Sequence, residues 1–83
     1  MTINQGIAKV VFHGGKSYWV RITRRKISSL VEYWSKQHNF YYMKIYEFNG
    51  SGLPKFSPGR TVGKQIGFIY LNQVTQDYEF RSS

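Results

Sequence analysis

The side chains of this sequence that could take part in chemistry are mainly cations and aromatic rings. Its 83 residues include twelve Lys and Arg but only four Asp and Glu, which gives a net charge of +8, and 18% of the residues are Phe, Trp or Tyr. Lysine and arginine neutralise phosphates, and aromatic rings stack on bases. This composition therefore predicts an anionic partner, either a nucleic acid or an acidic protein surface.

Catalysis and metal binding are less consistent with the same residues. The chain has no cysteine, which excludes a disulfide framework, a thiol nucleophile and a cysteine-ligated metal site. The two histidines, His13 and His38, have no carboxylate close by in sequence, and the four acidic residues are scattered. We therefore expect no enzymatic activity, no cofactor and no resident metal.

The positive charge lies in the body of the chain rather than at its end. Residues 1–72 carry eleven basic and two acidic side chains, whereas residues 73–83 carry one basic and two acidic side chains and form a mildly acidic tail. Residues 49–64 are rich in Gly and Pro and predict a long loop, which in a compact domain is usually functional or mobile. The cations of this loop, which we expect to contact a phosphate backbone, are Lys55, Arg60 and Lys64.

Hydrophobic periodicity predicts a hairpin at the start of the chain. Residues 6–12 and residues 17–23 alternate between two faces, as β-strands do. Between them, Gly14 and Gly15 accept the positive φ angles of a tight turn. The two strands are therefore expected to pair through this turn.

A helix is predicted to follow the hairpin. Apolar side chains recur at i, i+3, i+4 and i+7 within residues 24–38, as in an amphipathic helix. Thr23 or Ser29 could cap it, and Thr23 is preferred because it keeps Ile27 on the apolar stripe. The first turn would then hold three cations, whose conflict with the helix dipole a bound phosphate would relieve. These cations are Arg24, Arg25 and Lys26.

The remaining strands complete an α+β domain. Residues 39–48 and residues 65–72 alternate with a period of two, and residues 76–81 are consistent with a short edge strand. We expect residues 1–83 to form a single small domain. Its predicted architecture is one antiparallel-leaning sheet of about 4–5 strands in the order ββαββ, with one amphipathic helix packed on one face.

The period of the strands also predicts a sheet face that the helix leaves uncovered. If the helix packs on the side chains of Val20, Ile22 and Met43, the opposite face carries rings and cations from several strands. This arrangement depends on the strand register, because a slip of one residue would exchange the two faces. The residues predicted to form this binding surface are Lys9, Trp19, Arg21, Tyr42, Lys44 and Tyr46.

Residues 64–71 resemble in part the RNP1 strand of RNA-recognition and cold-shock domains. The leading lysine and the Gly67-Phe68 pair match that motif. Gln65 and Ile66 stand where the motif has a glycine and a stacking aromatic residue. The predicted order of elements also differs from that of an RNA-recognition motif, so this resemblance assigns no family.

The sequence thus predicts a small basic module that binds RNA or DNA by phosphate neutralisation and aromatic stacking, with little sequence readout. Single-stranded nucleic acid or RNA is the favoured partner. The alternative is a small protein inhibitor or adaptor, of the kind that phages and mobile elements encode, acting on a host nucleic-acid enzyme or complex. The rings would then be interface anchors on an acidic protein surface.

The expected cellular location of the protein follows from two sequence features, a membrane span and a signal peptide, that the sequence does not show. It contains no run of about 20 apolar residues, and residues 1–6 lack the basic and apolar regions of a signal peptide. We expect a cytoplasmic protein without membrane contact, present as a monomer or as a homodimer formed through an open sheet edge.

Overall fold

Five strands and one helix make up the described part of the chain, residues 1–49 and 62–83 of a computed structural model. In chain order they are β1 (Thr2–Phe12), β2 (Ser17–Lys26), α1 (Ile27–Ser35), β3 (Phe40–Phe48), β4 (Val62–Asn72) and β5 (Asp77–Ser82). All strands belong to one antiparallel sheet in the order β2-β1-β3-β4-β5.

The predicted α+β class, with one antiparallel sheet and one helix, is confirmed for these residues. The predicted order ββαββ is not matched, because three strands follow the helix and the order is ββαβββ. The acidic segment 73–83 is a turn followed by β5, which pairs along β4 as the outer strand of the sheet. Among the described residues, no helix is long and apolar enough to cross a membrane.

The turn between β1 and β2 has the geometry that its glycines predict. Gly14 and Gly15 adopt φ angles of 98° and 97°, which side chains disfavour. The Phe12 N–H donates to the Lys16 carbonyl at 2.8 Å and closes the hairpin. Beyond the turn, Ala8 lies opposite Val20, so that the apolar residues of both strands share one face.

The helix is shorter than the sequence predicts and begins later. Lys26 is its N-cap, with extended backbone (φ −74°, ψ 143°) and no side-chain capping hydrogen bond. A helix over residues 24–38 capped by Thr23 is therefore wrong, because β2 continues to pair with β1 until Lys26 lies opposite Thr2. The three cations predicted for the first helical turn are strand residues, and Arg24 has a left-handed backbone with φ 48°.

The core lies between α1 and the sheet face that it covers. Ile27 and Leu30 of the helix are buried against the sheet, and the Trp34 ring centroid is 5.6 Å from that of Phe40. The fully buried Met43 and Ile45 of β3 contribute to the same cluster. Burial of apolar area at about 25 cal/mol per Å² is the main stabilising term for this layer.

A glycine allows β5 to pack closely on β4. Gly67 is buried, and a Cβ built on it would lie 2.6 Å from the Phe80 Cζ and 2.5 Å from the Arg81 carbonyl oxygen. Both positions are below van der Waals contact, so the Phe80 ring occupies the space that a side chain at residue 67 would need. This packing holds the edge strand in place.

We expect Gly67→Ala to lower the free energy of unfolding by about 1–3 kcal/mol, because β5 must move away to admit the methyl group. Urea unfolding monitored by circular dichroism measures this change. Val74→Ala is the control, because Val74 is 92% exposed in the turn before β5 and its truncation should change stability by less than about 0.5 kcal/mol. Equal unfolding midpoints for the wild type and Gly67→Ala would contradict this packing.

Tyr78 connects β5 to β3 across the helix side of the sheet. Its hydroxyl donates to the Phe40 carbonyl at 2.6 Å, and the two ring centroids are 5.1 Å apart. Burial raises the pKa of the Tyr78 hydroxyl above its ordinary value of 10.0. The folded state therefore holds this proton more tightly than the unfolded chain does.

We expect Tyr78→Phe to cost about 1 kcal/mol of stability at neutral pH, since one hydrogen bond is lost. The difference from the wild type should be complete below the ordinary pKa of 10.0. It should shrink as the pH rises through the higher pKa of the folded state, because the ionised hydroxyl has no proton to donate. Tyr33→Phe, at an exposed helix residue, is the control, and a difference that did not change with pH would refute this assignment.

Candidate nucleic-acid interface

The sheet face opposite α1, called here the open face, carries a row of rings and cations that crosses all five strands. In register, Trp19 lies opposite Lys9, Lys9 opposite Lys44, Lys44 opposite Phe68, and Phe68 opposite Arg81. Residues directly opposite each other in an antiparallel sheet share a face. The row therefore reads ring, two cations, ring, cation from one edge of the sheet to the other.

Two further rows flank it on the same face. On one side, Ile7 lies between Arg21 and Tyr46, and on the other side Tyr42 lies opposite Tyr70. The structure thus places together all six residues that the strand period assigned to this surface. They are Lys9, Trp19, Arg21, Tyr42, Lys44 and Tyr46.

Lys9 and Lys44 form a like-charged pair at the centre of the open face. They lie directly opposite each other on β1 and β3, and both are exposed. Like charges in directly opposite positions destabilise a sheet. Neither lysine has a carboxylate partner within residues 1–49 and 62–83. A bound anion would relieve this repulsion.

Arg21 is held against the sheet rather than extended into solvent. Its Cζ lies 3.6 Å from the centroid of the Phe48 ring, and one terminal nitrogen donates to the Gln5 side chain. The cation–π contact and the hydrogen bond together fix the guanidinium. Its Nε is buried without a hydrogen-bond partner in the described part of the chain. Arg21 therefore contributes a fixed charge and covers apolar surface at the same time.

Half of the open face is packed around Ile7. This side chain is fully buried although the helix lies on the other side of the sheet, and its register neighbours are Arg21 and Tyr46. The Trp19 and Tyr46 ring centroids are 6.0 Å apart, so the two rings lie close together over the same strand. In this half, the Trp19 and Tyr46 rings are half-buried and pack against each other.

The other half of the open face contains a shallow cavity of about 330 Å³ between β3 and β4. Tyr42, Lys44, Phe68 and Tyr70 line it. The Phe68 and Tyr70 centroids are 5.3 Å apart, and the Tyr41 ring stands edge-on to that of Tyr42 at 5.0 Å. This cavity is the most aromatic part of the surface, and Lys44 supplies its positive charge.

Sequence reasoning did not assign Phe68 and Tyr70 to this surface. Regular alternation along residues 65–72 would put both on one face with Ile66, but the register shifts between Ile45 and Tyr46, and Ile66 packs against the core instead. Irregular pairing of this kind cannot be read from alternation alone. The signal that pointed to Phe68 was the Gly67-Phe68 pair of the RNP1-like segment.

Several predicted binding cations lie elsewhere. Lys64 is a residue of β4 and not of the loop, and it lies where the pairing of β3 with β4 is irregular, outside the three rows. Lys55 and Arg60 lie outside the described residues. The cations that end β2, outside the three rows, are Arg24, Arg25 and Lys26.

The two histidines meet at the hairpin end of the molecule. His13 and His38 line a cavity of about 300 Å³ together with Lys16 and Tyr18, and the His13 ring stacks on Tyr41 at 4.5 Å. Within the described residues, no group of three or more His, Cys, Asp or Glu could hold a metal ion. This cavity therefore offers cations and rings rather than a ligand set for a metal.

The sequence matches no family model, and no curated protein or solved structure is similar to it.

We expect Lys9→Gln to raise the thermal midpoint of unfolding at low salt, because it removes one member of the like-charged pair and keeps most of the side-chain stem. High salt screens the two charges, so the gain should vanish there. Lys36→Gln makes the same change of charge at an exposed position just after α1 and should give no such gain. A loss of stability in Lys9→Gln at low salt would show that the pair is not repulsive.

Proposed function

We propose that this protein binds nucleic acid on its open face, through phosphate neutralisation and aromatic stacking. The observation that carries the proposal is the central row, in which Lys9 and Lys44 adjoin each other between the rings of Trp19 and Phe68. A polynucleotide presents phosphates and bases at similar short spacings along one strand. A surface that alternates cations with rings is complementary to that pattern.

The phosphates are bound by the lysine pair. An anion between the two ammonium groups replaces a repulsion with two attractions, and its binding releases counterions from the nucleic acid. Arg81 extends the same row to β5, so that cations occur at both its centre and its end. The electrostatic part of binding carries no sequence information.

The bases stack on rings that the fold already holds in place. Trp19, Tyr42 and Tyr46 are half-buried, and so are Phe68 and Tyr70. Stacking on such rings is worth about 1–3 kcal/mol per base and tolerates any base. The backbones of the inner strands are paired on both sides and cannot read base edges. Binding of this kind has little sequence readout.

The rival hypothesis is a protein partner, such as a host nucleic-acid enzyme or complex that this chain inhibits. Exposed aromatic residues also serve as anchors in protein interfaces. The like-charged lysine pair favours the nucleic acid, because a polyanion supplies charge to both lysines at once. A cytoplasmic, non-enzymatic role without a cofactor fits either partner.

The test uses Trp19 as a reporter. The chain has two tryptophans, and Trp34 packs on Phe12 and Phe40 on the helix side, so Trp34→Phe leaves Trp19 as the single tryptophan, whose fluorescence is excited apart from that of tyrosine. We expect oligonucleotides to quench its fluorescence. The logarithm of affinity should fall with the logarithm of salt concentration, with a slope of about −0.7 for each phosphate contacted on a single strand.

Two charge variants locate the contacts. Lys9→Gln and Lys44→Gln should each make that slope shallower by about 0.7. The matched control Lys36→Gln carries the same net charge and should change it little. Affinity that does not depend on salt, or equal effects of all three variants, would refute the proposal. Capture of a protein from nuclease-treated lysate, with no oligonucleotide binding at low salt, would establish the rival instead.

A further inference from the structure

The aromatic cavity differs from the rest of the open face in being concave and accessible. Tyr42 lies opposite Tyr70, and Lys44 lies opposite Phe68 on the next pair along the same two strands. Directly opposite side chains are about 5 Å apart, and the next pair on the same face is about 7 Å farther along. Together with the Tyr41 ring, these side chains place four rings and one ammonium group around a space of about 330 Å³.

The packed half of the open face does not offer such a space. There, Ile7 lies between Arg21 and Tyr46 in register and is fully buried. The Trp19 and Tyr46 rings of this half lie with their centroids 6.0 Å apart. Insertion of a ring into the open face is therefore possible at the cavity and not beside it.

The charge of the cavity is not neutralised from within the described residues. Glu79 is the acidic residue in register with its wall, opposite Tyr70. Its carboxylate accepts hydrogen bonds from the Asn72 side chain at 2.9 Å and the Thr75 hydroxyl at 3.4 Å, and it forms no ion pair with Lys44. Lys9 on the neighbouring strand adds a second cation beside Lys44.

We infer that this cavity takes one unpaired nucleobase, with the adjoining phosphate bound by Lys44 and Lys9. A nucleotide combines a flat ring with a neighbouring anion, and the cavity offers stacking walls beside two cations. Gln73 lies at its rim, where its amide supplies a donor and an acceptor for a base edge. This inference rests on the proposed function and narrows its ligand to single-stranded nucleic acid.

The preference for single-stranded nucleic acid follows from what the insertion of a base into the cavity requires. A base in a duplex is paired and stacked on its neighbours, and must be extruded at a cost before it can enter a pocket. A single strand presents its bases without that cost. The cavity therefore discriminates strandedness, whereas the lysine pair attracts any polyanion.

The first experiment needs only the wild-type protein. Affinity is measured at one salt concentration for a short single strand, for the same sequence as a duplex, and for an abasic strand with the same number of phosphates. We expect the single strand to bind more tightly than the duplex, and to bind at least about 5-fold more tightly than the abasic strand, the lower limit for one stacked base. Equal affinities for all three would overturn the inference.

The second experiment locates the base. Tyr70→Ala should weaken binding of the single strand by about 5- to 150-fold and leave the abasic strand unaffected, while Tyr70→Phe keeps the ring and the affinity. Tyr33→Ala, at an exposed helix tyrosine, is the control. If thermal unfolding shows that Tyr70→Ala does not fold, Tyr70→Leu retains apolar volume without a flat ring and serves the same purpose.

The two proposals fail in different ways. If the single strand and the duplex bind equally and Tyr70→Ala has no effect, but the abasic strand still binds more weakly and the sensitivity to salt and to Lys9→Gln remains, only the inserted base is refuted. If no oligonucleotide binds at low salt, the proposed function and this inference are both refuted.

Discussion

The helix α1 covers only one of the two faces of the sheet. In a pleated strand, successive side chains point to opposite sides, so each of the five strands exposes a second set of residues that α1 does not reach. On the helix side the set is apolar and closes into a core. On the other side the fold relies on rings and on the aliphatic stems of cations, as the burial of Ile7 shows. The proposed binding surface and the second packed layer of the sheet therefore consist of the same side chains.

Local patterns were sufficient to predict the elements and to sort most side chains by face. The alternation of β1, β2 and β3 gave the set that contacts the helix and the set that does not, because a period of two is a property of any extended strand. The Gly14-Gly15 turn could be predicted for a similar reason, because a positive φ angle favours glycine at that position whatever its distant partners are. These features depend on neighbours in sequence alone.

Features that depend on distant partners could not be predicted in this way. The start of α1 is set by the pairing of Lys26 with Thr2, which keeps β2 extended past the point where the helical pattern begins. The face of Phe68 is set by the irregular register opposite Tyr46. In both cases the hydrogen bonds to a neighbouring strand override the structure that the local sequence pattern predicts. The candidate site was consequently predicted on β1, β2 and β3 but missed on β4.

The lysine pair has a consequence for the protein in the absence of any ligand. A broad aromatic patch that is exposed to water tends to associate with the same patch of another protein copy. Sheet proteins often prevent this association with charged gatekeeper residues. If two open faces met, Lys9 and Lys44 of each would be brought out of water next to two more ammonium groups. The repulsion between Lys9 and Lys44, which destabilises the fold without a ligand, thus also opposes aggregation through the open face.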